Sequence, residues 1–143
     1  MNRHTSIALS LAASASLIAG AAVAADGGRK LQTQLTGSAE VPGPGDPDGT
    51  ATVTVNPGQS KICYSITVSN IAPARAAHIY EAPAGSAGPV LVTLLAPAIG
   101  RSSGCVTVTR ELALEILKDP ADYYVNVHNA ASPAGAVRGQ LAK

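Results

Sequence analysis

Between residues 30 and 142 the chain alternates apolar and polar residues in short runs, each ended by turn-forming residues. In "KICYSITVS", for example, Ile62, Tyr64, Ile66 and Val68 fall on one parity and Cys63, Ser65 and Thr67 on the other. A period of two sends alternate side chains to opposite faces of a strand, so such runs predict half-buried β-strands. Candidate strands are 30–37, 49–55, 61–69, 76–81, 89–95, 104–109, 123–128 and 136–142. They are separated by "VPGPGDPDG", "NPGQS", "APAGSAG", "APAIGRSSG" and "NAASPAG", whose Gly, Pro, Asn and Asp residues favour turns. Many short strands with such breakers imply an all-β, antiparallel sandwich or Greek-key barrel. With no Trp or Phe, its core must come from Val, Ile, Leu, Ala and four Tyr.

One stretch departs from this period. In "TRELALEILKDP", Thr109 is placed to cap a helix, Glu111 falls in the first turn, and Lys118 and Pro120 mark its end. Leu112, Ile116 and Leu117 are the candidates to face inward. The expectation is one short α-helix over an end or edge of the sandwich, where it could cover a strand edge.

The N-terminus has another grammar. Arg3, an apolar run from Ile7 to about Ala19, and Ala22-Val23-Ala24 form the layout of a secretory signal peptide. The expected organisation is therefore a signal peptide over 1–24, cut after Ala24 or Ala25, a linker over 25–30, and one β-sandwich domain over 31–142. The run is shorter and less apolar than the ~20 residues a membrane span needs, so no span is expected after cleavage. Losing Arg3 with the leader leaves nine basic and nine acidic residues. Neutrality and the scarcity of aromatics argue against nucleic acid as a partner. Cys63 and Cys105 are the two cysteines, and an even pair in an exported chain reads as a disulfide. Both fall in phase with polar neighbours, which puts the bond outside the core.

Parity also sorts the candidate functional residues. His78 is in phase with Tyr80, opposite Ala77 and Ile79; His128 is in phase with Asn126 and Tyr124; Arg138 is in phase with Gln140. If these three strands are neighbours, His78, Tyr80, Asn126, His128, Arg138 and Gln140 form one polar patch, and Glu40 is available to pair with Arg138 or a histidine. Two readings stand side by side. The patch is a ligand or metal site, or it is a hydrogen-bonded network that fixes strand register and holds loops. Other motifs are thin. No Gly-x-Ser-x-Gly elbow occurs, Gly85 and Gly88 precede a strand rather than a phosphate-binding helix, and Asp46 and Asp48 lack EF-hand spacing and read as a solvated turn. No catalytic set is expected.

Three segments together carry a resemblance: "GSAEVP", "AHIYEAPAGSAGPVLVTL" and above all "YYVNVHNAASPAGAVRGQL". They resemble the CHRD family, named after chordin and found in many secreted bacterial proteins. The resemblance runs from about Leu31 to Leu141. It implies an immunoglobulin-like or Cu,Zn superoxide dismutase-like Greek-key β-sandwich in an extracytoplasmic setting. Chordin antagonises bone morphogenetic proteins, but a fold does not transmit a partner. Family members usually show His-Ile-His where this chain has His78-Ile79-Tyr80. The first functional expectation is a non-catalytic binding or structural module without a cofactor, directed at an extracellular or envelope protein. The alternative is a copper-binding or redox protein with His78 and His128 as ligands and Tyr80 or a carboxylate completing the shell.

Overall fold

The computed structural model describes residues 28–46 and 48–143, so the expected signal peptide lies outside the described residues. Eight strands form: β1 (Arg29–Thr36), β2 (Asp48–Asn56), β3 (Lys61–Ser69), β4 (Ala74–Glu81), β5 (Val90–Leu94), β6 (Arg101–Thr107), β7 (Tyr123–Asn129) and β8 (Val137–Gln140). Among the described residues a single α-helix, α1 (Arg110–Lys118), falls between β6 and β7. Every strand pair is antiparallel, in the order β5-β4-β7-β8-β1-β2-β3-β6. The all-β architecture with one short helix is as the alternation implied. The last two residues of the expected linker, Arg29 and Lys30, already belong to β1.

The sheet has two halves. They join where β8 meets β1, through Thr36 opposite Arg138 and a bridge from Gln32 to Ala142. The chain runs β1-β2-β3 in one half, crosses to β4-β5, returns to lay β6 beside β3, then crosses again through α1 to insert β7 beside β4. Both halves share one core: Leu31, Leu35, Val53, Val55, Ile62 and Ile66 come from one side, and Ala77, Ile79, Val92, Val125 and Val127 from the other. These are the inward parities of their strands, so the apolar pattern is what sets which face each strand buries.

The outer strands β5 and β6 are fastened by side chains. The amide of Leu95, just past β5, donates to the Tyr64 hydroxyl on β3 (2.8 Å), and the Ser102 hydroxyl on β6 donates to the Leu95 carbonyl (2.7 Å). Gly104 on β6 leaves room for the Tyr64 ring, which a Cβ there would crowd. β6 also begins earlier than its sequence suggests. The polar residues Arg101, Ser102 and Ser103 read as part of a breaker but pair with Thr67, Ile66 and Ser65 of β3. Tertiary pairing supplies the order that local polarity does not.

Helix α1 closes one end of the sandwich, beside the β2–β3 turn. The Thr109 side chain caps it by accepting from Leu112 N–H (3.1 Å), and Arg110 reaches the Pro57 carbonyl (3.2 Å). Ile116 is buried as expected, but its buried companion is Ala113, with Leu112 and Leu117 only partly covered. Ala113 and Ile116, both fully buried, are the helix's contribution to the core.

Cys63 and Cys105 form a disulfide across β3 and β6, directly opposite one another. It lies on the outer face, as the polar phase of both residues indicates, and closes a loop with a sequence separation of 42. Closing a loop of that length stabilises by about 4 kcal/mol on the chain-entropy estimate. Urea unfolding of a Cys63→Ser, Cys105→Ser double variant should show a loss of that order. A loss under about 1 kcal/mol would mean that β3–β6 pairing already restrains the reduced, unfolded chain.

Candidate functional site

The β4, β7 and β8 strands are neighbours in that order, and their outward residues converge. Register sets Tyr80 opposite Tyr124, His78 opposite Asn126, Asn126 opposite Arg138, and Tyr124 opposite Gln140. His128 faces Ala76, one diagonal step from His78. Adjacent strands lie about 4.8 Å apart. Directly opposed rings therefore stack: Tyr80 and Tyr124 are 5.0 Å apart at an interplanar angle of 5°.

Around Tyr124, Asn126 and Arg138 this outward face is covered rather than solvated, while His78, Tyr80 and His128 are half-buried. The segment after β1, including a 3-10 turn at Gly37–Ala39, the 82–89 loop and the 130–136 loop lie over or beside it. Burial obliges the polar groups to find partners. Arg138 is only 2 % exposed, with its guanidinium carbon 3.4 Å from the Tyr124 ring centroid. The same group donates to the Pro83 carbonyl and to Gln140 Oε1, both at 3.2 Å. Gln140 in turn donates to the Ala82 carbonyl (2.9 Å) and the Ala121 carbonyl (2.6 Å), and Gly88 N–H donates to the Tyr124 hydroxyl (3.3 Å). Delocalised charge on an aromatic face, with donors aimed at carbonyls, is an environment that suits arginine and not lysine.

The histidine end has a defined proton arrangement. His128 Nδ1 lies 3.1 Å from the Pro133 carbonyl, which can only accept, so Nδ1 carries the hydrogen and Nε2 the lone pair. Tyr80 then donates its hydroxyl to His128 Nε2 at 2.9 Å. The Tyr80 oxygen is left as acceptor toward His78 Nδ1 at 3.4 Å. Burial pulls both histidines below their ordinary range; for His128 the Pro133 bond opposes this and the nearby His78 adds to it. Burial raises the Tyr80 phenol, and the neighbouring Tyr124 and Glu40 add to the rise.

Glu40 joins the patch through Asn126, not through Arg138 or a histidine. Asn126 Nδ2 donates to Glu40 Oε2 at 3.2 Å. The carboxyl is packed against glycine backbone: a Cβ on Gly135, whose φ is +154°, would overlap it, and one on Gly45 would crowd its Cγ. Glu40 Oε1 and Asn126 Oδ1 are buried without partners. Burial pushes the Glu40 carboxyl up to about 7, against the lowering pull of the Asn126 bond, the Arg138 charge and the Val41 amide. The protonated form supplies a donor in a place rich in acceptors. A cavity of about 250 Å³, lined by residues including Glu40, Gly85, Arg138 and Gln140, lies between the segment after β1 and the 82–89 loop.

The sequence-predicted residues Glu40, His78, Tyr80, Asn126, His128 and Arg138 are thus brought into one connected region. Tyr124, which holds the centre of the stack, was legible only as a phase-mate of Asn126. Asp46 is not a solvated turn residue: it is half-buried and accepts from Asn129 Nδ2 at 2.6 Å. Nothing in the local turn pattern signals a partner 83 residues away. Among the described residues no three His, Cys, Asp or Glu side chains converge, and no helix is long and apolar enough to cross a membrane.

The Glu40 arrangement has a pH signature. Its folded value lies above the ordinary 4.5, so between 4.5 and about 7 the folded protein holds more protons than the unfolded chain. Stability contributed by the protonated group is full below 4.5 and is lost as pH rises through about 7, by up to ~3 kcal/mol. The lowered histidines act with the opposite sign, losing stability as pH falls through their range. Comparing wild type with Glu40→Gln at each pH isolates the carboxyl. The variant should match wild type near pH 4.5 and exceed it at pH 8; an equal gap at both, read from urea midpoints, would assign the slope to other groups.

Comparison with known families agrees with the motifs that now line this face. A family model described as CHRD domain matches residues 31–141, from the first buried leucine of β1 to the leucine after β8. No curated protein and no solved structure matches the chain. The match takes in all the strands except the first two residues of β1, together with the covering loops, and the chain belongs to the CHRD domain family.

Proposed function

We propose that the protein is an exported, non-catalytic binding or structural module, directed at an extracellular or envelope protein through the loop that follows β4. The observation that supports this is the anchoring of residues 82–89 from beneath. Arg138 holds the Pro83 carbonyl, Gln140 the Ala82 carbonyl and Tyr124 the Gly88 amide. A Cβ at Gly88 would overlap the Glu81 carbonyl, so the loop closes tightly on the end of its own strand. Ser86 and Ala87 are left exposed at its tip. A loop already fixed in one shape loses little conformational entropy when a partner docks. Loops on a rigid sandwich are a common place for such contacts. The patch side chains serve as the support of that loop, and the histidine end does the same for Pro133.

The disulfide and the family are consistent with an oxidising, extracytoplasmic compartment. The leader-like residues 1–24 carry the reading further.

N-terminal sequencing of the protein recovered outside the cytoplasm should begin at Ala25 or Asp26; recovery of the intact Met1 terminus would refute cleavage. A photo-crosslinker at Ser86 should capture a protein from the native envelope or medium. The same reagent at Thr52, on another part of the sheet, serves as control. Equal capture at both positions, or none at Ser86 together with turnover of some substrate, would overturn the module reading.

A further inference from the structure

Two imidazole nitrogens on adjacent strands point at one phenol oxygen: Tyr80 Oη is 2.9 Å from His128 Nε2 and 3.4 Å from His78 Nδ1. Donors bound to one metal at about 2.0–2.1 Å, with angles of about 90–120° between them, stand about 2.9–3.6 Å apart. Both distances fall in that interval. The ring centroids of His78 and His128 are 5.4 Å apart. For two imidazoles on a shared metal, with ring centres about 3.2 Å from it, the same angles give about 4.5–5.5 Å. The spacing comes from the sheet: His78 and Tyr80 are two apart on β4, and His128 is their diagonal neighbour on β7.

We propose that His78 Nδ1, His128 Nε2 and Tyr80 Oη are the protein ligands of a mononuclear Cu(II) site. Two features of the structure fit it. The Nδ1–H bond from His128 to the Pro133 carbonyl turns the Nε2 lone pair toward the site, the outer-shell arrangement usual for metal-bound histidine. All three side chains are half-buried, which leaves an approach from solvent and room for water to complete the coordination. Two imidazoles with an oxygen donor suit Cu(II), which also binds most tightly among the first-row divalent ions. On binding, Tyr80 gives its hydroxyl proton to solvent and the His78 proton resides on Nε2; His128 keeps its Nδ1 proton. The site goes beyond the binding-module reading and stands whether or not the 82–89 loop meets a protein.

The test uses the full chain with His4→Ala, which leaves His78 and His128 as its two imidazoles. Copper(II) sulfate is titrated against a competing chelator and followed by electron paramagnetic resonance and visible absorption. The expected result is one Cu(II) per chain, hyperfine structure from two nitrogens, and a phenolate-to-copper absorption band. His78→Ala and His128→Ala should each weaken binding at least about 10-fold, and Tyr80→Phe should remove the band. Tyr80→His should retain the ion, add a third nitrogen and tighten binding about 10-fold or more. Circular dichroism establishes that each variant folds. No binding at tens of micromolar, or binding unaltered by either histidine change, overturns the proposal. Should a histidine variant unfold, the Tyr80→His protein decides it, because failure to gain a third nitrogen overturns it as well.

Discussion

Strand β7 has almost no solvent side. Tyr123, Val125 and Val127 face the core, and Tyr124 and Asn126 on the opposite parity are buried as well. An antiparallel strand can usually leave one face in water. This one cannot, and its outward side chains are polar. A polar group taken from water without a partner costs several tenths to a few kcal/mol, so the layer above β7 has to supply acceptors and donors at set positions. Much of what distinguishes the domain follows from that requirement: the carbonyls of residues 82 and 83 above Arg138 and Gln140, the Pro133 carbonyl above His128, and the Glu40 carboxyl beside Asn126.

The same requirement explains why the chain spends glycines where it does. The Glu40 carboxyl can reach Asn126 only because Gly135 offers bare backbone, and Gly88 allows the 82–89 loop to fold back onto Glu81. These are close approaches, where a methyl group would collide with a neighbour; flexibility is not their purpose. At Glu40 the satisfaction is incomplete. Two buried oxygens lack donors, and burial raises the Glu40 carboxyl to about 7, so that below that pH its proton supplies a donor among them. Buried polar networks polarise as a unit, so the proton on Glu40 bears on the whole row from Asn126 to Arg138.

Much of this was legible in the sequence because alternation is a local property. Inward and outward parity along "HIY", "YYVNVH" and "VRGQ" placed seven residues on outward faces, and the polar phase of Cys63 and Cys105 placed their bond outside the core. What parity does not contain is register and neighbourhood. It could not say that β7 lies between β4 and β8, since those strands are distant in sequence and the order is set by crossovers. Nor could it find Arg101 to Ser103 in a strand, because their order comes from β3 alone. The inward choice of Ala113 and the burial of Asp46 depend on close contact between elements, which residue type does not announce.

The fastening of the two outer strands bears on self-association. β5 and β6 are the margins of the sheet, and a margin with free amides is a template onto which another chain adds a strand. Here the amide and carbonyl of Leu95 are both spoken for, by a tyrosine hydroxyl on one strand and a serine hydroxyl on the other. Leu95 and Ile99 meanwhile stand exposed beside that seam, at 64 % and 88 %. Tyr64 and Ser102 thus occupy both backbone hydrogen-bonding groups of Leu95 beside that apolar seam, and another strand could pair at this point only by displacing them.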